Sequence, residues 1–268
     1  MKRAYVWLRN RLVGRFFEDS DGVIRFEYGP HATAPISLSL SLDGSWHADA
    51  PSLFLDGLLP DFDYERKAMQ CAFDAASTNP LDLLVAADVT GGLCFTSDSE
   101  PKEIAHQARE FAREKDLELK VYRLARNRGS WQADDCRSCF ALAGSQGKFA
   151  LERFGDRWAW PNAKHPSTHI VKPDSYWHPD VPLVEDATMR LAAACGLNVA
   201  KSTVMPFGEE RAYVVERFDR KVLPDGQVER LHIEDFMQAL GMSSDRKYSV
   251  TAADVFGLLK RQPTAIRW

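Results

Sequence analysis

Between Ala141 and Leu151 the chain reads Ala-Leu-Ala-Gly-Ser-Gln-Gly-Lys-Phe-Ala-Leu, and this stretch limits the fold more than any other. Gly144 and Gly147 let the backbone turn with its N–H groups converging, a concavity that suits phosphate oxygens. Lys148 could add a point charge to it, and the apolar run Phe149-Ala150-Leu151 follows at once as the start of a strand. A strand after the loop separates this pattern from a P-loop, where a helix follows and Gly-Lys-Ser/Thr closes the motif. Further on, the apolar pair Ile170-Val171 delivers Lys172 and stops at Pro173. Taken alone, Gly-Ser-Gln-Gly also reads as a plain hairpin turn.

The rest of the composition sets wide bounds. At 268 residues the chain can bury a substantial core as one large domain or two small ones. A net charge of −4 and a pI near 6.0 exert no global pull toward nucleic acid or anionic membrane, and Arg123, Arg126 and Arg128 read as a solvated loop. No apolar run approaches the roughly 20 residues of a spanning helix, and Met1 to Arg9 is too charged and too short in apolar residues for a secretory signal. A cytosolic, cytoplasmic protein is expected. Five cysteines, an odd number, fit reduced thiols; Cys136-x-x-Cys139 has no second pair at zinc spacing.

Taken in order, residues 4–28 predict two strands and a turn at Asp19–Gly22. Ile36 to Leu42 alternates over its whole length and predicts a half-buried strand, so the opening part should be a small curved sheet or partial barrel. Leu53 to Asp61 reads as a core-packing corner. Phe62 to Ala76 and Leu81 to Ala87 are helix-compatible, Gly91-Gly92 breaks the chain, and residues 103–117 predict an exposed helix. A subdomain boundary falls between about 97 and 132. Phe140 to Ala143 leads into the glycine loop as a strand, and Asp156 to Trp160 is a further strand. Val184 to Leu197 predicts a helix with Gly196 as its C-cap. Glu185 lies in its first turn, where the helix dipole stabilises a carboxylate whatever its role. Thr203–Phe207 and Arg211–Phe218 predict a hairpin around Gly208 that runs into Glu216-Arg-Phe-Asp-Arg220. By itself Glu216-Arg217 reads as a surface ion pair worth well under ~1 kcal/mol. Helices are expected over 233–241 and 252–259, and His232, without a metal partner at helical spacing, reads as a packing or capping residue.

A strand–glycine loop–strand unit followed by a strand-borne lysine is how protein kinases cover and neutralise ATP phosphates. Further motifs stand here in a distinctive order: Val214-Val-Glu-Arg-Phe-Asp-Arg220, then His232-Ile-Glu-Asp-Phe-Met-Gln-Ala-Leu-Gly241, then Lys247-Tyr248. With Ser167-Thr-His-Ile-Val-Lys172 and the leading Phe54-Leu-Asp-Gly-Leu-Leu-Pro-Asp61, the chain closely resembles the HipA-type serine/threonine kinase toxins of bacterial toxin–antitoxin pairs. The resemblance spans nearly the whole chain. It implies an α+β fold, with an HipA N-terminal subdomain over 1–105 that is small and β-rich. A protein-kinase-like N-lobe with the start of the helical lobe follows over 132–268. It implies an ATP site formed by Ala143, Gly144, Ser145, Gln146, Gly147 and Lys148, by Lys172, and by the hinge Glu216, Arg217 and Phe218. There Glu216 and Phe218 meet the adenine edge through their backbones. Glu185 becomes the candidate partner of Lys172. The resemblance further implies a DNA-binding antitoxin of the HipB type as partner and an aminoacyl-tRNA synthetase as target.

Two departures matter. The family's proton-accepting carboxylate and its magnesium ligands follow an Asp-x-His-x-Lys-Asn pattern beyond Lys247-Tyr248, and residues 248–268 offer only Asp254. No catalytic residue and no metal site can therefore be assigned, and a role for magnesium stays open. The chain is expected to be a truncated kinase, weak or inactive alone. The alternatives are a pseudokinase or binding module that engages the antitoxin or a separate catalytic lobe, and the product of a broken gene. Second, family members commonly carry a self-phosphorylated serine where Ala141 stands, so no regulatory autophosphorylation is expected in this loop; Ser138 and Ser145 are out of register.

Overall fold

Arg9 and Asn10 both take positive φ, 50° and 61°, the backbone of a two-residue hairpin whose twist matches antiparallel strands. They join β1 (Arg3–Leu8) to β2 (Arg11–Glu18), and β3 (Ile24–Tyr28) follows the turn at Asp19–Gly22. The opening segment thus holds three strands where the sequence predicts two, because this tight hairpin lacks the glycine that usually marks one. β4 (Leu93–Thr96) adds beside β1, giving the order β3-β2-β1-β4, all antiparallel. The computed structural model describes residues 2–85, 87–100, 108–126, 140–144, 146–162 and 164–261. Phe16, Phe26 and Phe95 line one face of this first sheet, and Phe54 of helix α1 (Ala50–Asp56) stacks on Phe16 at 6.0 Å.

Ile36 to Leu42 is not a strand. It forms turns with a single bridge between Ser37 and Leu40. The Tyr28 hydroxyl accepts from Ile36 N–H at 2.9 Å and donates to Leu40 O, while the Glu234 carboxylate accepts from Ser37 Oγ at 2.6 Å and Leu38 N–H at 2.9 Å. Backbone groups that a neighbouring strand would need are already taken, and the segment buries Ile36 and Leu40, four residues apart, instead of alternate positions. α2 (Asp63–Ala72) is shorter than expected. α3 (Pro80–Leu83) is a single turn capped by the Asn79 side chain, which accepts from Leu81 N–H at 2.9 Å.

The second sheet has the order β5-β7-β6-β8-β10-β9, built from β5 (Glu110–Phe111), β6 (Phe149–Phe154), β7 (Arg157–Trp160), β8 (His169–Pro173), β9 (Ser202–Phe207) and β10 (Glu210–Glu216). The exposed helix expected at 103–117 is replaced by β5 and by α4 (Glu114–Arg126); residues 101–107 lie outside those described. α4 is not an exposed helix, since Leu117, Val121 and Leu124 form an apolar stripe that joins Phe149, Leu151, Val171 and Val214 in the core. Among the described residues Phe140 pairs through an isolated parallel bridge to Asp88, and the strand expected over Phe140 to Ala143 is not formed there, whereas β6 follows the loop. α5 (Val181–Ala194) packs beside β9 and β10 and starts three residues earlier than expected, with Asp180 at its N-cap in the left-handed region. A hairpin of β11 (Arg220–Val222) and β12 (Val228–Arg230) leads to α6 (Phe236–Leu240), a short 3-10 helix at Ser244–Ser249 and α7 (Ala252–Arg261). None of the described helices is long and apolar enough to cross a membrane.

Residues 231–241 return to the first sheet's subdomain. Asp235 and Gln238 cap α6 reciprocally, Gln238 Nε2 donates to Phe54 O at 3.1 Å, and His232 Nε2 hydrogen-bonds to Ile36 O at 2.9 Å, so His232 is a packing residue. Gly91, at φ +80°, lies so close to this segment that a Cβ would sit 2.6 Å from Ile233 O. Gly91→Ala therefore combines left-handed strain with a backbone clash. The expected loss of stability is about 2 kcal/mol or more. Urea unfolding checks it, and a midpoint equal to wild type would mean that the junction yields.

Candidate functional site

Strand alternation sorts the second sheet into two faces. Opposite pairing of Tyr213 with Lys172 and of Val215 with Ile170 puts these four residues on one face, while His169, Val171, Val214 and Glu216 occupy the other. The second face is covered in part by α4. On the first, Lys172 Nζ donates to Glu185 Oε2 of α5 at 2.6 Å, and both side chains keep about a quarter of their surface exposed (25% and 26%). Glu185 is thus held by Lys172 as well as by its place in the helix's early turns. The ammonium lies 5.6 Å from the Tyr213 ring centroid.

The glycine loop lies near this pair. Gly144 takes φ +101°, which L side chains rarely adopt. Lys148 does not extend into open space as a free point charge. Its ammonium turns back to donate to Gly144 O at 3.0 Å and Gln146 O at 2.9 Å, so the lysine ties its own loop. Lys148 is buried, and burial pushes its pKa down to about 8; Lys172 and Lys247 push it the same way, against Glu65 and Asp61. Ala143, Gln146 and Gly147 are half-buried in the loop, whereas Ser145 lies outside the described residues, as do Ser138, Cys136, Cys139 and Arg128. Ala141 is fully buried, its N–H donating to Asp88 O at 3.0 Å.

The hinge segment divides by side-chain direction. Glu216 and Phe218 point outward; Phe218 is 67% exposed. Glu216 pairs loosely with Lys201 at 3.7 Å, and not with Arg217. The expected surface pair Glu216-Arg217 does not form because neighbouring side chains on an extended backbone face opposite ways, which sends Arg217 inward. Its guanidinium donates to Asp219 at 2.9 and 2.7 Å, Ser167 Oγ at 2.8 Å, Val89 O at 3.0 Å and Asp88 at 3.4 Å. Arg220 donates to Asp88 at 2.9 Å, Asp219 at 2.8 Å, Val89 O at 2.7 Å and Gly91 O at 2.9 Å. Burial alone would raise the Asp88 carboxyl, but Arg220, Arg217 and Arg230 hold it well below the usual carboxylate range. Asp219 is lowered too, burial being outweighed by Arg217 and Arg220.

Two residues of this region carry no motif of their own. Asp88 is the acid in the apolar stretch Leu83–Val89, and an acid in such a run, with Arg-x-Asp-Arg downstream, is the one sign that could have marked it. Glu65 on α2 gives no such sign. It is buried with Oε2 lacking a hydrogen-bond partner, and burial pushes its carboxyl from 4.5 up to about 7 against the pull of Lys148. Between those pH values the folded chain keeps a proton that the unfolded chain has released. This stabilisation is full below pH 4.5 and is lost as pH rises through about 7. Glu65→Gln should flatten that decline by on the order of 1–3 kcal/mol, read from urea midpoints at acid and alkaline pH. An unchanged slope would exclude Glu65 as its source.

An antiparallel sheet with a lysine–glutamate pair on one face, a glycine loop beside it and a strand running into an outward hinge defines a kinase-like lobe. The HipA N-terminal domain model matches residues 4–95 and the HipA-like C-terminal domain model matches residues 140–266. Y4mE of Sinorhizobium fredii is 33% identical over 271 residues, covering 96% of this chain and 64% of that protein. The serine/threonine-protein kinase toxin HipA of Shewanella oneidensis is 33% identical over 220 residues, covering 80% of this chain and 48% of its own length. In a solved complex of the Shewanella oneidensis HipA and HipB proteins with operator DNA, a chain superposes with a TM-score of 0.74 at 27% identity, over 94% of this chain and 60% of that one. The chain belongs to the HipA-type family. It spans about half to just under two thirds of the length of these relatives.

Proposed function

We propose that this chain carries the leading subdomain (1–105) and the nucleotide-binding lobe (132–268) of a HipA-type serine/threonine toxin kinase, and that it binds ATP in the cytoplasm. The observation that carries the reading is the Lys172–Glu185 pair at 2.6 Å, which joins β8 to α5 on one face of the sheet. A lysine so held is a fixed cation for phosphate oxygens, since its partner restrains the side chain before a ligand arrives. The N–H groups of the loop from Ala143 to Lys148 would receive phosphate oxygens beside it. At the hinge, Glu216 N–H already donates to Lys201 O and Arg217 N–H to Thr168 O, both at 2.8 Å. The adenine edge is therefore left to the carbonyl of Glu216 and the N–H of Phe218. Arg217 serves the site from behind.

ATP supplies the transferable phosphoryl group; the residues named here bind and orient it. The described residues include no group of three or more His, Cys, Asp or Glu that could hold a metal, so no step is assigned to magnesium. No Asp-x-His-x-Lys-Asn pattern occurs in the sequence, so this chain alone should transfer phosphate weakly or not at all. Calorimetric titration with ATP, paired with a transfer assay, tests both parts. Absence of saturable ATP binding would overturn the first, and brisk transfer by the chain alone the second.

A second reading is a binding module without chemistry, engaging a HipB-type antitoxin or a separate catalytic lobe. Leu183, Val184 and Leu191 of α5, with Leu197 beyond it and Phe256 of α7, are exposed apolar side chains that favour it. Stable capture of a purified HipB-type protein without any ATP binding would select this reading.

A further inference from the structure

The Glu216 and Arg217 N–H groups are held by the neighbouring strands, and beyond them the backbone to Arg220 is held from behind by buried side chains. Arg220 N–H donates to Arg217 O at 3.3 Å, closing a turn around Phe218 and Asp219. Phe218 is outward, so its N–H direction depends on the residues either side, Arg217 and Asp219, and both are buried. Their anchors converge on a stretch of the N-terminal subdomain. Val89 O accepts from Arg217 and Arg220, Gly91 N–H donates to Asp219 Oδ2 at 2.8 Å, and Arg220 NH1 donates to Gly91 O. Asp88 is the fully buried acid at the centre: Oδ1 accepts from Arg220, and Oδ2 accepts from Ser167 N–H at 3.0 Å and Ser167 Oγ at 2.5 Å.

We propose that Asp88 is a positioning residue for adenine recognition, holding the Glu216 carbonyl and Phe218 N–H in place through Arg217, Arg220 and Ser167. The proposal rests on the nucleotide reading above. A purely structural clasp could attach anywhere on the lobe, but this one attaches at Arg217, within the edge that would meet a base, and at Asp219 and Arg220 directly after it. Hydrogen bonds weaken steeply with misalignment, so an edge that loses its rear anchor loses ligand contacts that Asp88 never touches.

The experiment compares wild type, Asp88→Asn and Ser167→Ala by calorimetric titration with ATP and, separately, with inorganic tripolyphosphate, which carries the phosphate chain without a base. The Kd for ATP should rise about tenfold in D88N and about threefold in S167A. That for tripolyphosphate should stay within about twofold of wild type. Equal weakening of both ligands, as general loosening of the fold would give, overturns the proposal, and so does unchanged ATP affinity. Should D88N not hold its fold, S167A decides, because it deletes one hydroxyl and leaves every charge in place. Wild-type chain that fails to bind ATP overturns the nucleotide reading and this proposal together; wild-type binding without the split between ligands overturns this proposal alone.

Discussion

Asp88→Ala should cost the protein roughly 3–5 kcal/mol, the range for removing one partner of a buried ion cluster. The carboxylate faces Arg217, Arg220 and Arg230 at 3.4, 2.9 and 3.6 Å, and Asp88, Arg217 and Arg220 are all but inaccessible to water. Alanine would leave Arg217 and Arg220 sharing Asp219 and would take the Asp88 carboxylate from Arg230, with two further bonds from Ser167 unanswered. A loss of that size approaches the whole stability of many domains, about 5–15 kcal/mol. The exposed pair Lys201–Glu216 is the internal control: Lys201→Ala should change stability by no more than about 0.5 kcal/mol. Urea midpoints for the two variants and wild type measure the difference. A D88A midpoint beside that of K201A would mean the cluster does not hold the two subdomains together. The same cluster sets an acid limit. Asp88 and Asp219 are held below their ordinary values, so what they contribute is present above the unfolded carboxylate range and is lost as pH falls below it.

Lys172→Met should weaken ATP binding ten- to a hundredfold, the equivalent of one charge-assisted contact worth about 1.5–3 kcal/mol. Here the fold should barely respond. The Lys172–Glu185 pair is a quarter exposed on both sides, and such pairs contribute about 1 kcal/mol or less to stability. Methionine keeps the length and apolar stem of the lysine over Tyr213 while removing the cation. Glu185→Gln should fall between wild type and K172M, because it frees the ammonium without deleting it. Titration with ATP alongside thermal unfolding separates the two effects. Full affinity in K172M would remove Lys172 from the site.

The glycine turn, the Lys172–Glu185 contact and the strand that ends at Glu216 are legible because each follows from a short motif with a local rule behind it. Glycines at 144 and 147, a lysine closing a strand and a glutamate in the next helix are visible without knowing what packs on what. Side chains that answer to distant partners carry no such local rule. Ile36 to Leu42 has the alternation of a strand, yet Tyr28 and Glu234, the latter far along the chain, take its backbone groups. Lys148 reads in the sequence as a point charge beside the loop, and nothing local announces that its ammonium bonds that loop's own carbonyls. Arg217 looks like half of a surface pair and is instead the centre of a buried cluster, because its partner Asp88 belongs to the other subdomain. Burial, not propensity, decided each of these, and burial is a property of the assembled chain.

The clasp also has a schedule. Asp88 and Arg217 are 129 residues apart in sequence, and Asp88 and Arg220 are 132. At a synthesis rate of about 5–20 residues per second, a ribosome makes the acid roughly 6–26 s before its arginines. Once β4, which is made after Asp88, has joined it, the first sheet carries a carboxylate that burial would not tolerate alone, so Asp88 must stay hydrated until its arginines arrive. Only when the Glu216–Arg220 segment has emerged can charge and counter-charge leave water together. The nascent N-terminal subdomain is therefore a waiting half-site, and the motif at the hinge is what closes it.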